Sequence, residues 1–303
     1  MLRNFTFFML MGCVTFSAAA PAVAADNKTS SGKRASTGGG ASSAFGGSSD
    51  IKAANNQMGY QFISTFVDYT EIGSGRLGTA TGTLDTETGP VNGRGYYFST
   101  MNDVLFGNDY FKATLDQSSG FTNYVGGALS PPSPYGSVVS SSGAILTNYT
   151  ARYGRGFETR GASMLTPYFE YGSHRWDRGV NFGEAYFNGY YGLGLMHQRS
   201  LGNGLVFTLD AMYGKTNQSA IAVASGPGVT GFSGALGNSD LYKIGISLDY
   251  AWAKRLHLNA AVDYTAFAYG ISAMYPSGVN SYIWEPDSRT SYTTAKLGLG
   301  WGF

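Results

Sequence analysis

The chain has 303 residues and a formal net charge of +1, so it carries no field that would select nucleic acid or an anionic surface. Charged residues are 13% of the total, about half the share of an ordinary soluble domain, while Gly (44), Tyr (22) and Phe (19) are abundant. That profile suits many twisted strands with aromatic girdles better than a helical core.

The chain opens like a secretory signal. Met1-Leu2-Arg3-Asn4 is a short basic region, Phe5 to Ala18 is apolar, and Ala22-Val23-Ala24 is a small-residue cleavage site. Residues 1–24 are therefore expected to be removed on export. Leu10-Met11-Gly12-Cys13 also resembles a bacterial lipobox, which would start a lipoprotein at Cys13 instead. On the plain signal reading the single cysteine is lost, and with it disulfides, CxxC redox chemistry and Cys-ligated zinc. Residues 25–56 are Ser/Gly/Ala-rich without a period and read as a disordered periplasmic segment, either free or folded back into the domain formed by residues 57–303. No later run of 18 apolar residues exists, so no transmembrane helix is expected; a β-barrel would not show in hydropathy, because its apolar residues alternate.

From Gln57 onward ten alternating stretches recur, near 57–71, 94–105, 109–126, 144–155, 162–174, 183–198, 204–216, 240–252, 255–269 and 290–303. Long connections are expected near 72–93, 127–143, 217–239 and 270–289, with a middling one at 175–182. Short ones are Phe106-Gly107-Asn108, 156–161, Leu201-Gly202-Asn203 and Ala253-Lys254. Short turns alternating with long loops fit an even-stranded barrel with both termini on the periplasmic side. The alternation is weakest in the first two stretches, where Tyr60, Phe62 and Phe66 share a face with Asp68, so eight or twelve strands stay open.

The faces sort by polarity. In 241–252, Tyr242, Ile244, Ile246, Leu248, Tyr250 and Trp252 oppose Leu241, Lys243, Gly245, Ser247, Asp249 and Ala251. In 205–213, Leu205, Phe207, Leu209, Ala211 and Tyr213 oppose Thr208 and Asp210. A Lys or Arg facing lipid at mid-depth costs about 2–4 kcal/mol, which is reason enough for the sorting. A soluble β-sandwich also alternates, but it would carry more surface Lys and Glu. The fold class expected is all-β: a transmembrane antiparallel β-barrel over residues 57–303, of about ten strands.

The last strand, YTTAKLGLGWGF (Tyr292–Phe303), is apolar on one face and ends on an aromatic. It resembles the C-terminal signature of bacterial outer-membrane β-barrel proteins. The resemblance implies that Trp301 and Phe303 are read by the barrel-assembly machinery and that the chain resides in outer-membrane lipid. It is nearly silent on activity.

Inward-facing charges on this register are Lys112, Asp116, Arg152, Glu170, Glu184, Asp210, Lys243, Asp249, Asp263 and Lys296, with His257 beside them. They are either ion pairs that fill the lumen or a wet pore lining. A ten-strand barrel is close to the width that side chains fill, and Tyr168, Tyr186, Tyr190, Phe267 and Tyr269 also point inward, so a narrow or plugged lumen is favoured over an open porin. Omptin-type barrel proteases resemble this chain in length and strand number, yet it has no Asp-x-Asp and no Asp-x-His; the His-x-Ser of barrel phospholipases is absent too. Ser173-His174-Arg175-Trp176-Asp177-Arg178 reads as a rim cluster of a girdle aromatic and headgroup-facing arginines. Gly192-Leu193-Gly194 lies within a strand and so is no nucleotide loop; glycine there makes room for an aromatic opposite. No catalytic, metal or cofactor site is expected. The leading function is a non-enzymatic barrel, either a narrow channel for small solutes or a plugged structural barrel displaying loops. The alternative is surface adhesion or ligand binding through 127–143 and 217–239. An autotransporter barrel ranks last, because the preceding tail is too short for a passenger.

Overall fold

The computed structural model describes residues 47–75, 81–128, 133–227, 230–278 and 281–303, so the expected signal peptide and residues 25–46 lie outside the described residues. A helix, α1 (Gly47–Asn55), precedes ten long strands: β1 (Gln57–Ser74), β2 (Thr81–Asn102), β3 (Asp109–Gly126), β4 (Val138–Arg155), β6 (Ser163–Arg178), β7 (Glu184–Gly202), β8 (Leu205–Val223), β10 (Asp240–Ala251), β11 (Leu256–Tyr269) and β14 (Asp287–Gly302). Four short strands complete the set: β5 (Phe157–Thr159), β9 (Phe232–Ala235), β12 (Tyr275–Gly278) and β13 (Ser281–Ile283). The long strands pair antiparallel in chain order, and β1 pairs with both β2 and β14, which closes the sheet into a ten-strand barrel.

The register fixes the barrel's width. From Arg175 on β6 the paired residues run through Thr147, Gln117, Arg94, Phe62, Leu297, Ala260, Leu248, Phe207 and Arg199, and return to β6 at Ser163. One circuit therefore shifts by twelve residues. Ten strands with that stagger tilt by about 40° and lie on a cylinder of about 10 Å radius. Inward side chains can meet across such a cylinder.

The outer face is apolar between two aromatic belts. Tyr171, Tyr191, Tyr213, Tyr242 and Tyr264 form one belt; Trp252, Trp301, Phe303, Phe98 and Phe157 stand near the end that carries the termini. Leu193, Ile244, Ile246, Leu248, Leu297 and Leu299 lie between them, all exposed. Tyr242 and Trp252 are ten residues apart, which at this tilt spans about 25 Å, the height of the apolar band of a membrane barrel. Arg94 departs from the inward sorting of charge: it is exposed on the outer face, two residues along β2 from Tyr96. Its long side chain can carry the guanidinium toward the lipid headgroups. No described helix is long and apolar enough to cross a membrane, which leaves open a crossing by strands.

The structure corrects several boundaries. Residues 81–93, expected as loop, are the first half of β2, and 138–143 and 217–223 extend β4 and β8. Strand β6 runs on to Arg178 through the stretch expected as a rim connection. Ladder pairing continues beyond the apolar band, where hydrocarbon no longer imposes alternation and the sequence looks like loop.

The segment expected to be disordered is helical over 47–55. Helix α1 contacts β2, β6, β7, β8 and β10 at the termini end of the lumen. Ile51 is fully buried there. Asn55 donates to Gln198 Oε1 at 2.6 Å and accepts from Gln198 Nε2 at 3.2 Å, and Ser200 donates to Asp50 at 2.7 Å. One fully buried apolar anchor held by scattered polar contacts is a weak sequence signal, which explains why composition pointed to disorder.

Candidate functional site

The lumen is the candidate site, and it is built in tiers. At the termini end, above α1, His257 Nδ1 lies 2.7 Å from Asp249 Oδ1, and Gln57 Nε2 donates to Asp249 Oδ2 at 2.8 Å. Tyr97 donates to Gln57 at 3.0 Å and accepts from Asn259 at 2.7 Å. Both ring and carboxylate are buried, so each of these polar atoms needs its partner.

The middle tier is a set of cross-lumen ion pairs. Arg152 bridges Glu170 and Asp210. Lys243 reaches the other oxygen of Glu170 at 2.7 Å, and Tyr190 donates to that oxygen at 2.8 Å. Tyr168 donates to Asp210 and stacks under the Arg152 guanidinium at 4.5 Å. Lys296 binds Asp116 at 3.0 Å and Asp263 at 3.2 Å. Lys112 has no carboxylate at ion-pair distance among the described residues; its ammonium lies 5.7 Å from the Tyr97 ring centre. Four cations thus face four carboxylates; Arg152–Asp210, Lys243–Glu170 and Lys296–Asp116 cross between strands that are not neighbours, while Arg152–Glu170 and Lys296–Asp263 join adjacent ones. A cavity of about 190 Å³ remains between Asn55 of α1 below and His174 and Tyr292 above. Its polar walls suit ordered water.

Glycine makes this packing feasible. A Cβ on Gly194 would lie 2.2 Å from the Tyr168 ring, and one on Gly172 would lie 2.4 Å from the Tyr190 ring. Each tyrosine lies flat against a bare backbone in the neighbouring strand, as inward aromatics opposite glycine require.

An aromatic tier follows. His174 is stacked between Tyr190 (4.9 Å) and Phe267 (5.3 Å), with Nδ1 2.7 Å from Asn148. Trp176 stacks on Tyr186 and meets Tyr69 edge-on. This corrects the rim reading: Trp176 is 1% exposed inside the lumen rather than in the lipid girdle, and the Arg178 side chain is fully buried. Only Arg175 and Asp177 face outward, paired with each other at 2.7 Å. His174 and Asp177, three residues apart on a strand, point to opposite faces and cannot act together.

Arg178 begins the last tier, about 17 Å beyond Tyr171 along the barrel axis and so outside the apolar band. It donates to Glu87 at 2.8 Å and lies 3.3 Å from Glu184 and 3.6 Å from Asp85. Tyr69 and Trp176 hold its guanidinium on their faces, at 4.6 and 5.0 Å. Glu285, from the β13–β14 connection, accepts a hydrogen bond from Tyr186. Burial, with Glu184 close by, pushes the Glu285 carboxyl up to about 8.

Of the charges expected inside, Lys112, Asp116, Arg152, Glu170, Asp210, Lys243, Asp263 and Lys296 lie in the middle tier, Asp249 and His257 lie below them, and Glu184 stands apart beside Arg178. Trp301 and Phe303 are on the outer face, and Phe303 stacks on Phe98 at 5.6 Å. Sequence reasoning missed Glu71, Asp85, Glu87, Arg178 and Glu285. The signal for β2 was present, since Asp85, Glu87, Val91 and Tyr97 share one face, but Thr86, Thr88, Pro90 and Asn92 opposite them carry no greasy residue to mark a strand.

No family model matches the chain, and no curated protein matches it. Solved structures do. The outer membrane protease OmpT from Escherichia coli is 8% identical, with a TM-score of 0.53 over 82% of this chain and 97% of that one. This chain has the fold of a bacterial outer-membrane β-barrel. The translocator domain of the autotransporter NalP from Neisseria meningitidis (12% identity, TM-score 0.39, 84% and 91% covered) and the attachment invasion locus protein Ail of Yersinia pestis (13%, 0.27, 82% and 99%) are also similar. At 8% identity the likeness to the protease shows the fold alone and assigns no role.

Proposed function

We propose that the chain is a non-enzymatic outer-membrane barrel whose lumen is sealed, so that it serves the envelope structurally and presents its loops outside. The observation that carries this reading is the middle tier. Arg152, Lys243 and Lys296 are each committed to carboxylates across a cylinder of about 10 Å radius, with α1 beneath them. A solute path would have to break buried pairs, and leaving one partner buried and uncompensated is costly. In this setting the termini face the periplasm, and Trp301 and Phe303 are the strand-end residues offered to the barrel-assembly machinery.

Planar-bilayer recording tests the seal. The expected result is no conductance steps; regular unitary steps from the pure protein would overturn it in favour of the narrow channel for small solutes. Loop binding is a second reading, supported by the apolar side chains displayed beyond the lipid band: Tyr135 (47% exposed), Phe182 (57%) and Tyr282 (56%). Residues 129–132 and 228–229 of the two long loops lie outside the described residues. Replacing 127–137 and 224–239 by short turns is expected to abolish any binding to cells or matrix and leave barrel assembly intact.

A further inference from the structure

The carboxylates around Arg178 outnumber its charge. Glu87 and Glu184 are satisfied: Glu87 by Arg178 and Thr122, Glu184 by Arg178 and by Asn181 at 2.7 Å. Three further acids gather without a cation of their own. Glu71 on β1 and Asp85 on β2 are direct cross-strand partners, on the inward face of both strands. Like charges directly opposite one another are destabilising, and two adjacent buried carboxylates cannot both ionise freely. Asp85 is 5% exposed, and its Oδ1 is buried with no hydrogen-bond partner among the described residues, which marks a position for a proton. Glu285 is the third acid, 6% exposed, lowered into the same tier from the outer connection.

Glu285 is also a structural clasp. Its amide donates to Ser272 Oγ at 2.8 Å, and the Ser272 amide donates to the Glu285 carbonyl at 2.9 Å. These bonds tie the two ends of the β11–β14 connection together above the lumen. Its carboxyl accepts from Tyr186, whose hydroxyl lies 3.0 Å from that of Tyr69.

We propose that protons held by this carboxyl cluster latch the outer connection, through its described residues 270–278 and 281–286, onto the barrel, and that loss of those protons as pH rises releases it. The titratable and charged groups of this tier come from every surrounding element. They are Tyr69 and Glu71 from β1, Asp85 and Glu87 from β2, and Tyr124 from β3. Arg178 comes from β6, Glu184 and Tyr186 from β7, and Tyr269 from β11. Arg178 is the one cation in ion-pair contact with the cluster among the described residues. Asp287, the first residue of β14, is engaged elsewhere, accepting from the Ile271 amide at 2.9 Å. The sign is set by Glu285: a carboxyl raised above its unfolded value holds its proton better when docked. Its contribution is full below the ordinary glutamate range, declines through the neutral range and is lost above about 8.

The latch is independent of the sealed-lumen reading, because the middle tier and α1 stay closed whether or not the connection lifts. Hydrogen exchange at the Ser272 and Glu285 amides therefore reads it where conductance does not. In the folded full-length barrel, protection corrected for intrinsic exchange is expected to fall about tenfold or more between pH 5.5 and 9. Glu285→Gln keeps the hydrogen-bonding shape without the charge, and its protection is expected to stay flat across that range. Wild-type protection that does not change with pH, or an unchanged slope in Glu285→Gln, overturns the proposal. Should Glu285→Gln fail to give the compact heat-modifiable form, Glu71→Gln is the second variant. It removes one of the repelling carboxyls and is expected to shrink the fall in protection between pH 5.5 and 9; an unchanged fall overturns the proposal equally.

Discussion

Arg152→Met separates a filled lumen from a wet pore. The guanidinium joins Glu170, whose side chain is fully buried, to Asp210, while Lys243 holds the second oxygen of Glu170. Removing it leaves Glu170 with one cation in place of two, and Asp210 with only the Tyr168 hydroxyl. Breaking a buried ion pair by deleting one partner costs about 3–5 kcal/mol. The side chains of Arg152 (15%) and Asp210 (17%) keep some contact with the cavity, so the low end, about 3 kcal/mol, is expected. Pairs lining an open aqueous pore would lose at most about 1 kcal/mol. The assay is equilibrium urea unfolding of the barrel in lipid vesicles, followed by tryptophan fluorescence. Adding Asp210→Asn removes the stranded charge and is expected to recover about half of the loss. A single-variant loss below about 1 kcal/mol, with no recovery in the double variant, would refute the view that these charges form the barrel's interior packing.

Other consequences are as direct. Gly194→Val drives a side chain into the Tyr168 ring and is expected to destabilise by about 1–3 kcal/mol in the same unfolding assay, whereas the same change at exposed Gly202 is governed by its left-handed backbone (φ 87°) and not by contact. Ile51→Ala removes the apolar anchor of α1 and is expected to weaken its docking by about 2 kcal/mol or more, read as faster trypsin cleavage at Lys52 with the barrel still folded. Phe303→Ala removes the ring stacked on Phe98 and is expected to lower the yield of assembled barrel in envelope fractions, with little effect on the unfolding midpoint of what does assemble.

The sequence by itself determined the class of fold and, within the apolar band, which of the charged side chains named here face in. Hydrocarbon imposes that sorting one residue at a time: Lys243, Asp249, Asp263 and Lys296 could be assigned to the lumen from their immediate neighbours alone. Lumen partners were not legible, because Arg152 meets Asp210, and Lys296 meets Asp116, only after the register has carried the chain round the cylinder by twelve residues. Beyond the apolar band the sorting force disappears. The outer half of β2, with Asp85 and Glu87, and the last residues of β6 therefore read as loop, and the ladder alone made them strands. Helix α1 was hidden for a related reason: nine residues with one greasy anchor have no period to detect, and only a closed barrel of this width offers the pocket that orders them.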